Sequence, residues 1–134
     1  MEVSRVLIDT PAYSAFLRGS KAIKTALQHA QEINVSPIVV GELLAGFMKG
    51  RKMKENRERL AEFLLSPRVR IIPLDEETSE RYAVLHSFLY SAGKPIPTHD
   101  LWIAAQAMQH GLKILTTDRH FDAVPHVLKE IFPP

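Results

Sequence analysis

The sequence predicts a single α/β domain over residues 1–134, with a mainly parallel sheet of four to five strands and helices on both faces. Three observations carry that expectation. Short aliphatic runs alternate with longer segments whose apolar residues recur every three or four positions. The segments between the runs carry the helices that parallel crossovers need. No repeat, low-complexity tract or linker divides the chain.

Taken in order, Arg5-Val6-Leu7-Ile8 reads as a strand that stops at Asp9-Thr10-Pro11. Proline then suits the first turn of a helix carrying Tyr13, Phe16 and Leu17, broken by Gly19-Ser20. Ser20 is placed to cap a second helix, Lys21 to Gln31, with Ile23, Ala26, Leu27 and Ala30 on one face. Ile33 to Ser36 predicts a second strand, and Pro37 opens a helix bearing Leu43, Leu44 and Phe47. Its β-branched run Ile38-Val39-Val40 suits a strand equally well. Gly50 to Glu58 is strongly charged, and an amphipathic helix runs from Leu60 to Leu65, ending at Ser66-Pro67. Val69 to Pro73 reads as strand. Asp75-Glu76-Glu77-Thr78 begins a helix with acids where the macrodipole favours them. That helix carries Tyr82, Leu85, Phe88 and Leu89 and ends over Ser91 to Pro95. A further helix, with Thr98 as its expected cap, is closed by His110-Gly111. Lys113 to Thr117 reads as strand, and Val127-Leu128 as a last short one.

The bulk composition narrows the chemistry. A hydrophobic fraction of 46% with 24% charged residues is that of a folded globular chain. A net charge of +2 permits a polyanionic partner without demanding one. With no cysteine, disulfides, thiolate metal sites and cysteine nucleophiles are excluded. The opening MEVSRVLIDTP has neither the basic n-region nor the long apolar run of a secretion signal, and no stretch is apolar enough to span a bilayer. A cytoplasmic protein with no membrane partner is expected.

In a parallel α/β sheet, function collects at the carboxyl edge of the strands. Asp9 follows the first strand and Asp118 follows the strand at Lys113 to Thr117, so both lie at that edge. Helices run back from it, so Asp100, in the first turn of its helix, opens there too. Glu42 is the fifth residue from Ile38, about 6 Å along the helix at its usual rise. Val39, Val40, Leu43 and Leu44 surround it. Singly, Asp9 and Asp118 have an ordinary explanation as turn residues and Asp100 as a dipole partner, whereas an exposed helix position explains Glu42 poorly among those apolar neighbours. Jointly, four carboxylates from separate parts of the chain would repel one another unless a cation compensated. Hard divalent cations take such oxygen ligands, which points to metal-assisted phosphodiester hydrolysis.

The segments VLIDT, PIVVGELLAG, PTHDLWIAAQA and ILTTDRHF together resemble the motifs of PIN-domain ribonucleases, and most closely the VapC-type toxins of toxin–antitoxin pairs. Order, spacing and flanking residues match over nearly the whole chain. The resemblance implies a PIN-like three-layer fold and endonucleolytic cleavage of RNA with Mg2+ or Mn2+. The family's acidic quartet falls on Asp9, Glu42, Asp100 and Asp118, and its supporting hydroxyl on Thr116. It implies Asp9 and Asp100 as principal metal ligands, Glu42 as a ligand through water or an orienter of the nucleophile, and Asp118 as support for a first or second metal. A homodimer and a cognate antitoxin that occupies the acidic groove are further implications. An RNA- or DNA-processing PIN nuclease without an antitoxin, and a catalytically inert PIN binding or scaffold domain, are the alternatives. The chain departs from the family at Pro11, where many members carry Asn or Ser, and at His99, where asparagine is common.

His99, Arg119 and His120 are candidate substrate contacts beside the third and fourth acids. Lys49, Arg51, Lys52, Lys54, Arg57 and Arg59 form a basic cluster suited either to RNA phosphates or an acidic partner, or to a solvated helix face with pairs such as Glu55-Arg59. The six histidines lack HxxxH or HExxH spacing, which argues against zinc. No GxxxxGK or GxGxxG loop is present. Trp102 and Phe121 read as packing residues rather than base-stacking ones.

Overall fold

Val6, Leu7 and Ile8 are apolar on both sides of an extended chain, so strand β1 (Arg5–Ile8) suits the centre of a doubly covered sheet. The computed structural model, which describes residues 4–134, has this arrangement. The first three residues of the segment expected to carry no secretion signal lie outside it. Strand β1 is flanked by β2 (Glu32–Val35) and β4 (Lys113–Thr116), with β3 (Val69–Ile71) and β5 (Lys129–Ile131) at the edges. The order is β3-β2-β1-β4-β5 and every pairing is parallel.

Direction of travel sets the layers. Helices α1 (Thr10–Leu17) and α2 (Lys21–His29) carry the chain from β1 to β2, and α3 (Pro37–Met48) and α4 (Met53–Leu64) from β2 to β3. Helices α5 (Glu76–Ala92) and α6 (Thr98–His110) then return it past β1 to β4. Right-handed crossovers in opposite directions put α1–α4 on one face and the α5–α6 pair on the other. Contacts follow that division: α1 packs on α2 and α3, α3 on α4, and α5 along α6. Phe63 ties α4 to α1, packing edge-on with Tyr13 at 5.2 Å and tilted against Phe16 at 5.9 Å between ring centroids. On the other face the fully buried Gln106 donates from Nε2 to the carbonyls of Ile72 (3.0 Å) and Pro73 (3.2 Å), tying α6 to the chain leaving β3. Among the described residues no helix is long and apolar enough to cross a membrane.

Local chemistry settles most boundaries. The ambiguous Ile38-Val39-Val40 run is helical, because Ser36 Oγ caps the N–H of Ile38 and Pro37 fits the first turn. Helix α5 begins with a capping box in which Asp75 and Thr78 exchange hydrogen bonds. Gly93 and Gly111 close α5 and α6 with φ of 67° and 65°, a conformation that suits a residue without Cβ.

Five expectations need correction. Helix α4 starts at Met53 rather than Leu60, because Lys, Glu and Arg are good helix formers even where Leu60 is its only fully buried side chain. The last strand is Lys129–Ile131, not Val127-Leu128. Val127 buries in the core and Leu128 stays exposed before the edge pairing begins. Thr98 does not cap α6: Pro97 occupies that position and no side chain caps the helix. Helix α2 stops at His29 because Ala30 turns extended. Strands β3 and β4 end at Ile71 and Thr116, short of Pro73 and Thr117.

Candidate active site

The sheet reverses its winding between β1 and β4, so the loops leaving these two strands part and open a crevice at their carboxyl ends. Pairing of Ile8 with Leu115 sets Asp9 level with Thr116. The backbone N–H of Asp9 donates to the Leu115 carbonyl at 3.2 Å. Asp9 also caps α1, its Oδ1 accepting from the Ala12 N–H at 2.9 Å. Its other oxygen, Oδ2, is buried with no hydrogen-bond partner. Thr116 is fully buried, and its hydroxyl accepts from the Asp118 N–H at 2.9 Å, which turns the chain and sets the fourth acid beside the first.

Asp100 comes from the other face, in the first turn of α6, with Leu101, Ile103, Ala104 and Ala105 wedged in the core behind it. His120 begins a short 3-10 turn over His120–Ala123, anchored by the buried Phe121. His120 Nδ1 lies 2.7 Å from Asp100 Oδ2 and 3.1 Å from Asp118 Oδ1. Its backbone N–H also donates to Asp118 Oδ1 at 2.9 Å. His99 Nε2 sits 3.4 Å from Asp100 Oδ1 and 3.9 Å from Glu42 Oε2. Glu42 reaches back from α3 and accepts from the Thr10 hydroxyl at 2.7 Å, which fixes its carboxylate.

Burial dominates the electrostatics. It pushes the Asp9 carboxyl from 3.8 up to about 7, and the charges of Asp100 and Asp118 push the same way. The nearby Thr116 hydroxyl and the Ala12 N–H pull it back in part, although the Thr116 hydroxyl does not complete a hydrogen bond to Oδ2. Burial likewise raises Asp100, opposed by its hydrogen bond with His120 and by the His99 and His120 charges.

This arrangement suits a divalent cation. Asp100, Asp118 and His120 each offer a ligand atom within 4.8 Å of the others. The unpartnered Asp9 Oδ2 is a buried acceptor that a cation would satisfy. A carboxylate-rich donor set with one imidazole is typical of a hard or borderline ion.

Of the residues singled out in sequence, Asp9, Asp100, Asp118 and Thr116 meet at the crevice. Glu42 joins them through Thr10 and His99. Arg119 instead points to Asp122 on the surface, 3.3 Å away. His120, expected as a substrate contact, lies within the carboxylate cluster, and the His two residues beyond Asp118 was the signal. Thr10 was overlooked, although it directly follows the first acid. The basic cluster, in the α3–α4 connection and on α4, is exposed, and among the described residues Glu55 and Arg59 form no ion pair. Trp102 and Phe121 both pack, Trp102 against Tyr82 and Phe121 in the core.

Residues 6–127 match the PIN domain family. The chain is 36% identical to ribonuclease VapC4 of Mycobacterium tuberculosis over 95% of its own length and 96% of that protein's. It is 36% identical to toxin FitB of Neisseria gonorrhoeae over 66% of each. Its fold matches VapBC2 of Rickettsia felis, crystallised on a promoter DNA fragment, with a TM-score of 0.83 and 25% identity over 94% of this chain and 97% of that one. Fold, crevice and relatives agree, and the chain belongs to the PIN domain family, among its VapC-type members.

Proposed function

We propose that this protein is an endoribonuclease that hydrolyses RNA phosphodiester bonds with a divalent cation, and that it is the toxin of a toxin–antitoxin pair. The observation that carries the chemistry is the buried, unpartnered Oδ2 of Asp9, in a carboxyl close enough to Asp100 and Asp118 for their charges to act on it. A carboxyl whose pKa stands at about 7 is costly to ionise unless a cation comes with it. Asp9 and Asp100 are assigned as principal ligands, Asp118 as a supporting one, and His120 as their imidazole neighbour. Mg2+ or Mn2+ is the proposed ion. When bound, it would act as a Lewis acid toward the phosphodiester and offset the charge that grows in the transition state.

The chain's own groups supply the rest. Thr116 holds the turn that presents Asp118, and Thr10 holds Glu42 with its second oxygen free to orient a water. His99, half exposed between Glu42 and Asp100, is placed to contact a phosphate oxygen or to carry a proton. The likeness to toxin FitB and to VapBC2 supports a cognate antitoxin as partner. A homodimer and a cytoplasmic setting, where RNA is abundant, complete the proposal.

Purified protein freed of any partner is incubated with RNA and Mg2+ or Mn2+, and new 5′ ends are mapped. Specific ends are expected from the wild type, and none from Asp9→Asn or Asp100→Asn. A wild type that binds neither ion and cleaves no RNA would overturn the nuclease assignment and favour an inert binding domain. Cleavage without harm to an expressing host would remove the toxin role alone.

A further inference from the structure

The crevice gathers carboxylates, and one imidazole stands among them at ligand spacing. His120 is not one of the four acids, yet Asp100, Asp118 and His120 offer ligand atoms that all lie within 4.8 Å of one another. Its Nδ1 is 2.7 Å from Asp100 Oδ2 and 3.1 Å from Asp118 Oδ1. Neighbouring ligand atoms around an octahedral ion with bonds of about 2.1 Å stand about 3 Å apart. The two separations are therefore those of adjacent ligands of a single ion. The other imidazole nearby, His99, lies outside that group, with Nε2 3.4 Å from Asp100 Oδ1 and 3.9 Å from Glu42 Oε2.

The backbone holds the ring in this place. His120 opens the 3-10 turn, and the next residue, Phe121, is fully buried. The turn closes where the Val124 N–H donates to the Phe121 carbonyl at 3.0 Å. The backbone N–H of His120 donates to Asp118 Oδ1 at 2.9 Å, so main chain and ring engage the same acid. An entering ion would find the ring already set, with little side-chain freedom left to lose. The side chain is also partly exposed, so the ring can keep its proton on Nε2 in water and turn the lone pair of Nδ1 to the ion.

We infer that His120 is a metal ligand through Nδ1 and that it tilts the site from Mg2+ toward Mn2+. The inference rests on the ribonuclease reading above and names the ion that the site selects. Mg2+ is a hard ion that takes oxygen ligands and gives up its waters reluctantly. Imidazole nitrogen is a better donor to first-row transition ions than to Mg2+. Carboxylates alone would hold either ion through oxygen. Exchanging one oxygen donor for Nδ1 therefore costs Mg2+ more than Mn2+.

The test reads the bound ion rather than the reaction. Metal-free wild type, His120→Asp and His99→Gln are titrated with Mn2+ by calorimetry, and Mg2+ affinity is measured by its displacement of bound Mn2+. Pulsed electron paramagnetic resonance of the Mn2+-loaded proteins then reports whether a nitrogen is bound directly to the ion. Wild type and His99→Gln are expected to show the nitrogen coupling, and His120→Asp to lack it. The preference for Mn2+ over Mg2+ should fall roughly tenfold in His120→Asp, because an oxygen donor replaces the nitrogen. Mn2+ bound to the wild type without nitrogen coupling would overturn the inference, and this result needs no variant to fold. Coupling that persists in His120→Asp, or an unchanged preference between the ions, would overturn it too. Either result with RNA still cleaved would leave the nuclease standing. Failure of the ribonuclease reading shows differently, as RNA left intact by a wild type that binds Mn2+ with the nitrogen coupling present.

Discussion

His120 Nδ1 stands 2.7 Å from Asp100 Oδ2 and 3.1 Å from Asp118 Oδ1, so one imidazole bridges an acid on a covering helix and an acid at a strand end. Asp100 is mounted on α6 and Asp118 follows β4, and no backbone pairing ties the two together. The 3-10 turn pinned by Phe121 therefore decides how closely they approach. As a ligand or as the group that orients one, His120 shapes the affinity for the ion. His120→Ala should weaken Mn2+ binding by about 10- to 100-fold, read by calorimetry, with the Tm of the metal-free protein little changed. Equal or tighter binding would mean that the imidazole is only an internal counter-charge to the acids.

Asp9 makes the metal-free protein sensitive to pH. Its folded pKa of about 7 lies above the ordinary 3.8, so an unfolded chain ionises first as pH rises. The stability linked to Asp9 is fully present below about pH 4 and is lost as pH rises through 7. A shift of this size corresponds to on the order of 4 kcal/mol between the two limits. In chelator, the wild type should lose urea resistance between pH 5 and pH 8, and Asp9→Asn should show a flatter profile. Saturating divalent ion should recover the loss at pH 8 in the wild type and not in Asp9→Asn. Parallel pH profiles for the two proteins would remove burial of Asp9 as the cause.

Why part of this was legible in sequence and part was not follows from the range of the forces involved. Asp9, Asp100 and Asp118 are fixed by where strands end and helices begin, which periodicity and capping residues reveal locally. That the sheet is parallel and covered on both faces needed only the alternation of runs and helices, whereas its strand order rests on tertiary packing. His120 entered the cluster through a tertiary relation, the folding of a 3-10 turn back over Asp118, which has no local periodicity. Thr10 was missed for the same reason, since its partner Glu42 lies 32 residues away. The start of α4 was misplaced because a surface helix with one fully buried leucine has little apolar signal. Lys129–Ile131 was missed because an edge strand bearing Lys and Glu lacks the apolar run that marks a central one.

The Thr10–Glu42 hydrogen bond yields a positioning test. At 2.7 Å the Thr10 hydroxyl holds one carboxylate oxygen and leaves the other toward His99. Thr10→Val keeps the shape of the side chain and removes the donor. Losing one hydrogen bond to a charged group is worth about 1.5–3 kcal/mol, so kcat should fall roughly 10- to 100-fold with metal affinity held within a few-fold. Thr10→Ser should restore most of the rate. An unchanged kcat in Thr10→Val would mean that Glu42 needs no such support for the reaction.

Gln106 separates scaffold from site. It is fully buried, and its amide nitrogen serves the carbonyls of Ile72 and Pro73, while its own Oε1 has no partner. Gln106→Leu would strand two carbonyls, at about 1–3 kcal/mol for a buried acceptor left unmade, and would relieve the unpartnered oxygen in return. A net loss of about 2 kcal/mol is expected, read as a lower urea midpoint at unchanged slope. Gln106 lies nearly two turns along α6 from Asp100, on a helix also wedged by Leu101, Ile103 and Ala105. The folded variant should therefore bind Mn2+ and cleave RNA as the wild type does. Loss of metal binding with the fold intact would show that the tie to Ile72 and Pro73 also sets the pitch of the helix that aims Asp100. The rigid mount of that acid would then begin at β3.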